Sequence, residues 1–167
     1  MTQEELNEAL KKHELWLRGE AGGERFSRYW EDLSGLDFSL ADLSYADLIR
    51  ADLTGADLTG ANLICADLTR ANLTDACLRS ARLIITDLTG ANLTNAMLIH
   101  ANLTDADMRE ADMHGADMHE ADFERALFTI SKKSEDLILQ LAEDIKESRK
   151  KKSPSDTSAQ AASGEPD

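Results

Sequence analysis

Long apolar runs are missing from this chain, and so are the residue groups that most often carry chemistry. No stretch could form the apolar core of a signal peptide or span a membrane. The N-terminus, MTQEELNEALKKHELWL, is polar and amphipathic, so a cytoplasmic protein is expected. Cysteine is scarce. Cys65 and Cys77 occupy unlike positions of the pattern described below, suggest no disulfide and give no argument for an oxidising compartment. Aromatic residues make up only 5% of the chain. Basic residues are outnumbered, 18 against 32 acidic, for a net charge of −14, which argues against direct contact with nucleic acid. The basic run Arg149 to Lys152 reads as a solvated helix end. No glycine-rich phosphate loop is present, because the Thr-Gly pairs at 54–55, 59–60 and 89–90 are corner residues of a repeat. No catalytic constellation emerges, and no cofactor is implied. His100, His114 and His119 lack a third fixed ligand, so they make a weak metal signal.

What is present is a repeat. From Glu31 to Ile130, twenty five-residue units follow one another without insertion, as Ala-(Asp/Asn)-Leu-X-X. The centre of each unit is apolar, from Leu33, Phe38 and Leu43 to Met118, Phe123 and Phe128. Two residues earlier stands Ala in almost every unit, with Glu31, Leu36 and Thr86 as exceptions. A period of five fits neither ordinary element. On an α-helix it would move the Leu stripe by roughly 140° per unit. On a flat strand it would put successive Leu on opposite faces. The pattern works if the chain turns a corner once per unit, so that every Leu points to one axis and Ala fills the space beside it. A unit this short cannot bury its own side chain, so units must stack.

The run ADLSYADLIRADLTGADLTGANLICADLTRANL resembles the pentapeptide-repeat family. The resemblance covers residues 31–130 and implies an all-β solenoid: a right-handed quadrilateral β-helix with four units per coil and about five coils, between terminal α-helices. It also implies that the central residue and the one two before it point inward. The expected organisation is an N-terminal helix and cap over 1–30, the β-helix over 31–130, an amphipathic helix over 131–150 and a disordered tail over 151–167.

An open β-helix exposes edges, so its ends need caps. Thr2 and Glu5 form a capping box that predicts a helix over Gln3 to Leu17, with Leu6, Leu10 and Leu17 on one face and Trp16 nearby. Gly19, Gly22 and Gly23 end it, and Phe26, Tyr29 and Trp30 supply bulk before the first coil. Beyond the repeat, Leu137, Ile138, Leu141 and Ile145 form the stripe of a second helix, over Glu135 to Arg149. That stripe suits either a cap on the last coil or a two-fold contact. A homodimer through the C-terminal end is what the quinolone-resistance branch of the family implies.

Residues twenty apart share a face. One face carries Asp47, Asp67, Asp87 and Asp107, a column of like charge that costs stability unless relieved, with Arg50 and Arg70 placed to screen its lower half. The other faces break their columns with Asn62, Asn72, Asn92 and Asn102, or with Cys77, Arg82 and Met97. Tyr45, Ile64, Cys65, Ile84 and Ile85 are outward yet apolar in adjacent coils, which marks either a contact patch for a partner or second copy, or a surface that a terminal helix or tail folds down to cover. Two functional readings follow. The first is a non-enzymatic scaffold that presents its faces to a protein partner. The second, implied by gyrase-binding members of the family, is an acidic mimic of DNA that binds a type II topoisomerase. Residues 31–130 hold 18 acidic and 6 basic residues, a net of −12. Spread over about 24 Å of five coils, that approaches the roughly one charge per 1.7 Å of duplex DNA.

Overall fold

The computed structural model describes residues 1–129; the expected C-terminal helix, with Leu137, Ile138, Leu141 and Ile145, lies outside the described residues. The solenoid follows from one backbone arrangement used again and again. Parallel bridges join residues twenty apart, from Ser27↔Asp47 through Asp67↔Asp87 to Asp107↔Leu127. Twenty residues are four units, so each coil is a square and the chain winds a right-handed quadrilateral β-helix. Face 1 is centred on Leu48, Leu68, Leu88 and Met108. Face 2 is centred on Leu33, Leu53, Leu73, Leu93 and Met113, face 3 on Phe38, Leu58, Leu78, Leu98 and Met118, and face 4 on Leu43, Leu63, Leu83, Leu103 and Phe123.

Each wall is held by the coils above and below. Asn72 donates its backbone N–H to Ala51 O at 2.9 Å, and Leu73 donates to Asn92 O at 2.7 Å. The corner is a β-turn. Ala41 N–H reaches back to Phe38 O at 3.0 Å, and the intervening Leu40 is left-handed at φ 58°. A positive φ at the third position alone makes this type II, which glycine would adopt without strain. Glycine stands at Gly35, Gly55, Gly60, Gly90 and Gly115, but residues such as Tyr45, Cys65 and Ile85 take the same conformation. Each such non-glycine corner costs on the order of 1–2 kcal/mol, and it persists because the ladder over-determines the backbone.

The axis is filled by leucine. Leu33, Leu53, Leu73 and Leu93 are fully buried, as are Ala46, Ala56 and Ala76 beside them. Thr86 takes an alanine place and is also fully buried, because its hydroxyl donates to Leu63 O at 2.7 Å. The ladder starts one unit before the regular pattern does. In residues 26–30, Phe26 fills the alanine place and is buried, while Arg28 stands where Leu is usual. Arg28 lays its guanidinium 4.8 Å from the Phe26 ring centroid and donates to Ser27 O at 2.7 Å. Phe26 is therefore part of the solenoid rather than bulk in front of it.

Helix α1, Gln3–Leu17, closes the first coil. Thr2 and Glu5 bond reciprocally as a capping box. The unpaired backbone groups of the coil edge are met one by one. The Gln3 amide both donates to Asp37 O and accepts from Asp37 N–H, each at 2.9 Å, as a neighbouring strand would. The buried residues of α1 are Leu6 and His13, while Leu10 and Leu17 are only half-buried. His13 accepts from Phe26 N–H at Nδ1 (3.0 Å) and approaches Ser44 O with Nε2 (3.1 Å), an arrangement that demands the neutral ring with its proton on Nε2. At Gly23 a Cβ would sit 2.3 Å from the Trp16 backbone nitrogen, so only glycine lets the chain pass back under α1. No helix among the described residues is long and apolar enough to cross a membrane.

Two outcomes follow from this packing. Leu73→Ala removes a fully buried side chain from a rigid wall and should cost about 2–5 kcal/mol, read as a lowered midpoint in chemical denaturation. Burial holds the His13 pKa below its ordinary value of 6.5, with the Ser44 carbonyl and Asp42 opposing. Its stabilising contribution is therefore complete above pH 6.5 and is lost as the pH falls from there toward the depressed folded value. Thermal melts from pH 7.5 to 5 should show that decline, and His13→Gln should flatten it; an identical slope in the variant would contradict the assignment.

Candidate protein-interaction site

The acidic position of the repeat serves the backbone first. The N–H two residues beyond it lies in the turn and has no ladder partner, and the side chain supplies one. Asp52 Oδ1 accepts from Thr54 N–H at 3.1 Å, Asp67 from Thr69 at 2.9 Å and Asp87 from Thr89 at 2.9 Å. This is an Asx turn, which explains why only Asp and Asn recur there. Asn does the same with Oδ1 and adds a donor toward the next coil. Asn72 Nδ2 reaches Asp52 Oδ1 at 3.1 Å and Thr54 Oγ1 at 2.7 Å, tying adjacent coils of face 2 together.

Face 1 lacks that relief. Asp47, Asp67, Asp87 and Asp107 pair directly in the ladder, so their carboxylates stack coil on coil. Only Asp107 among them is in an ion pair among the described residues, with Arg109 Nη2 at 2.5 Å. Hydrogen bonding from that arginine holds its pKa below the usual carboxylate value. Neither Arg50 nor Arg70, expected to screen the column, forms an ion pair with it among the described residues. Arg50 stacks 4.4 Å over the Trp30 ring, and Arg70 lies beside Gly90. The Trp30 face offers the Arg50 guanidinium a cation–π contact.

The apolar residues Tyr45, Ile64, Cys65, Ile84 and Ile85 come together at the corner between faces 4 and 1. Tyr45 N–H donates to Ile64 O at 2.9 Å, and Cys65 N–H donates to Ile84 O at 3.1 Å, so the three coils are in direct register. Tyr45 is 51% exposed and Ile85 57%, while Ile64, Cys65 and Ile84 are half-buried. Most equivalent positions elsewhere carry polar residues or glycine, so the apolar exposure here is unusual. Charge bounds the corner at both ends. Arg25 Nε donates to Tyr45 O, and Arg125 holds Asp105 through Nε at 2.6 Å and Nη2 at 2.7 Å. A rigid apolar strip with an arginine at each end suits contact with another polypeptide and provides no chemistry of its own.

Other candidates fall apart on inspection. Leu40, exposed at 81%, and Met97, at 37%, are further apolar outliers on face 3, of which sequence reading singled out only Met97, as a break in its column. Their positions two coils or more apart prevent a patch, although an outward leucine was visible in the pattern. His100 and His119 do approach one carboxylate, that of Glu120, at 3.2 and 3.6 Å. His114 takes no part, and among the described residues no group of three or more such side chains could hold a metal ion. A cavity of about 390 Å³ between α1 and the first unit is lined by Glu8, Lys12, Arg25 and Arg28. Its charges are paired locally, as in Lys12 with Glu24 at 3.0 Å and Glu8 with Lys11 at 2.8 Å.

The model of pentapeptide repeats matches residues 32–60, 51–90 and 86–125, together more than half of the chain. Among solved structures, the pentapeptide repeat protein Rfr23 of the cyanobacterium Cyanothece 51142 is 28% identical, with a TM-score of 0.56 over 63% of this chain and 82% of that one. A pentapeptide repeat protein of the Arabidopsis thaliana thylakoid lumen is 31% identical, with a TM-score of 0.35 over 70% of this chain and 74% of that one. The plasmid-mediated fluoroquinolone resistance protein QnrB1 is 17% identical, with a TM-score of 0.28 over 66% of this chain and 65% of that one, too distant to carry an argument about function. No curated protein sequence matches.

The column on face 1 yields a stability prediction. Asp67→Asn with Asp87→Asn keeps the Asx acceptor, as Asn72 and Asn92 show, and removes stacked like charge. Stability should rise by a few tenths to about 1 kcal/mol at low ionic strength, with the gain shrinking in salt, as read by thermal melting.

Proposed function

We propose that this chain, which belongs to the pentapeptide repeat family, is a cytoplasmic, non-enzymatic scaffold that binds a protein partner through the corner formed by Tyr45, Ile64, Cys65, Ile84 and Ile85. The observation that carries this reading is the exposure of Tyr45 and Ile85 on a backbone fixed by the ladder. The corner is preorganised, so a partner docks without the cost of ordering it. The core is filled by Leu and Ala, and activity is left to the outward side chains.

A second reading is supported by the stacked Asp47, Asp67, Asp87 and Asp107: an acidic DNA mimic that binds DNA gyrase or another type II topoisomerase. It makes opposite demands on the binding. Contact through the aspartate column weakens steeply with salt, whereas contact through the apolar corner survives it.

Ile84→Asp with Ile85→Asp should leave the unfolding free energy within about 1 kcal/mol of the parent, since both side chains project outward. It should abolish retention of the partner in affinity captures washed at high salt. Retention by the variant would remove the corner from the interface. In parallel, purified gyrase should be inhibited in supercoiling only under the second reading, with inhibition lost when Asp47, Asp67, Asp87 and Asp107 are changed to Asn.

A further inference from the structure

The described chain stops at Thr129 on face 1, immediately past the corner that carries Arg125. Below Arg125, coil by coil, that corner holds Asp105, Ile85, Cys65 and Tyr45, all left-handed. The apolar strip thus begins two coils, about 10 Å, beneath the point from which residues 130–167 depart. The lengths fit. A helix over residues 135–149 would span about 22 Å, and the five residues before it reach up to about 17 Å. The four coils from Arg125 to Tyr45 rise about 19 Å.

The chemistry fits as well. In helical spacing, Leu137, Ile138, Leu141 and Ile145 fall within an arc of about 100°. Lys146 and Arg149 border that arc on one side and Asp144 on the other, and Lys150, Lys151 and Lys152 follow. The apolar corner is likewise bordered on one side by acid, the stacked Asp47, Asp67 and Asp87 of face 1. An apolar stripe with a basic edge complements an apolar strip with an acidic edge.

We propose that the chain's own segment Leu137–Ile145 docks on the Tyr45–Cys65–Ile85 corner, with its basic edge along the aspartate column. A partner at the corner competes with the segment for it; the docking itself does not rest on the scaffold reading above.

Cys65 lies inside the covered corner, and Cys77 lies on face 3, with its Sγ 3.1 Å from Thr59 Oγ1, outside it. The two thiols make an internal comparison. Maleimide alkylation of the full chain, followed by peptide mass spectrometry, gives the Cys65:Cys77 rate ratio. In the full-length variant Leu141→Glu with Ile145→Glu that ratio should rise at least tenfold. An unchanged ratio would show an open corner and overturn the proposal. Protection that disappears on dilution to nanomolar chain would mean that a second copy covers the corner, which also overturns it. A second measurement is independent of the charge change. Oxidised Leu141→Cys should form a disulfide to Cys65 within the monomer; a disulfide-linked dimer, or no bond to Cys65, counts against it. A corner shown to be self-covered that loses no partner on Ile84→Asp with Ile85→Asp would sink the scaffold reading alone.

Discussion

Everything in this molecule hangs on backbone pairing between residues twenty apart. Each coil presents N–H and C=O groups to the next, and the walls exist only while that register holds. The register tolerates left-handed corners at Tyr45, Cys65 and Ile85 that would be strained in isolation. It also explains the repeat's polar letter. The turn N–H points away from the ladder, and Asp or Asn bonds it from two residues earlier, as Asp67 does for Thr69. The recurring Asp or Asn is thus a structural requirement before it is a functional surface.

A ladder has two ends, and its first is closed by imitation. Gln3 offers Asp37 the paired donor and acceptor of an absent strand, and His13 bridges Phe26 and Ser44 with a single neutral ring. Phe26 and Arg28 exchange the sizes that the repeat assigns to their places, and the coil still closes, because at an edge the arginine can bend over the phenylalanine. These contacts make α1 an extension of the hydrogen-bonding pattern as well as an apolar lid.

A surface so constrained leaves few side chains free to serve recognition. Asn72 and Asn92 link coils, and Arg125 holds Asp105. Arg50 covers Trp30. The apolar corner stands apart because Tyr45, Cys65 and Ile85 have polar or glycine counterparts at most other corners, and nothing in the ladder calls for their bulk. The aspartate column of face 1 differs in another way: its Asx bonds are needed, but its uninterrupted charge is not.

The period of five was enough to require corners, an inward Leu and Ala, and stacked units, because no regular element keeps that spacing on one face. Arithmetic on the same period placed Asp47 with Asp67 and Ile64 with Ile84. The capping box at Thr2 and Glu5 was equally plain, since its chemistry is local. Other features were hidden. The irregular unit 26–30 does not match the motif, yet it pairs with the second coil. Nothing local to His13 announces its role, because Phe26 and Ser44 come within its reach only in the fold. That Arg50 stacks on Trp30 depends on a residue one coil away. The sequence by itself determined the repeat, its inward residues and which side chains share a face, because these depend on spacing along the chain. Only the tertiary structure decided how the first edge is closed and where each long side chain goes, because those choices depend on neighbours that the chain brings together from one or more coils away.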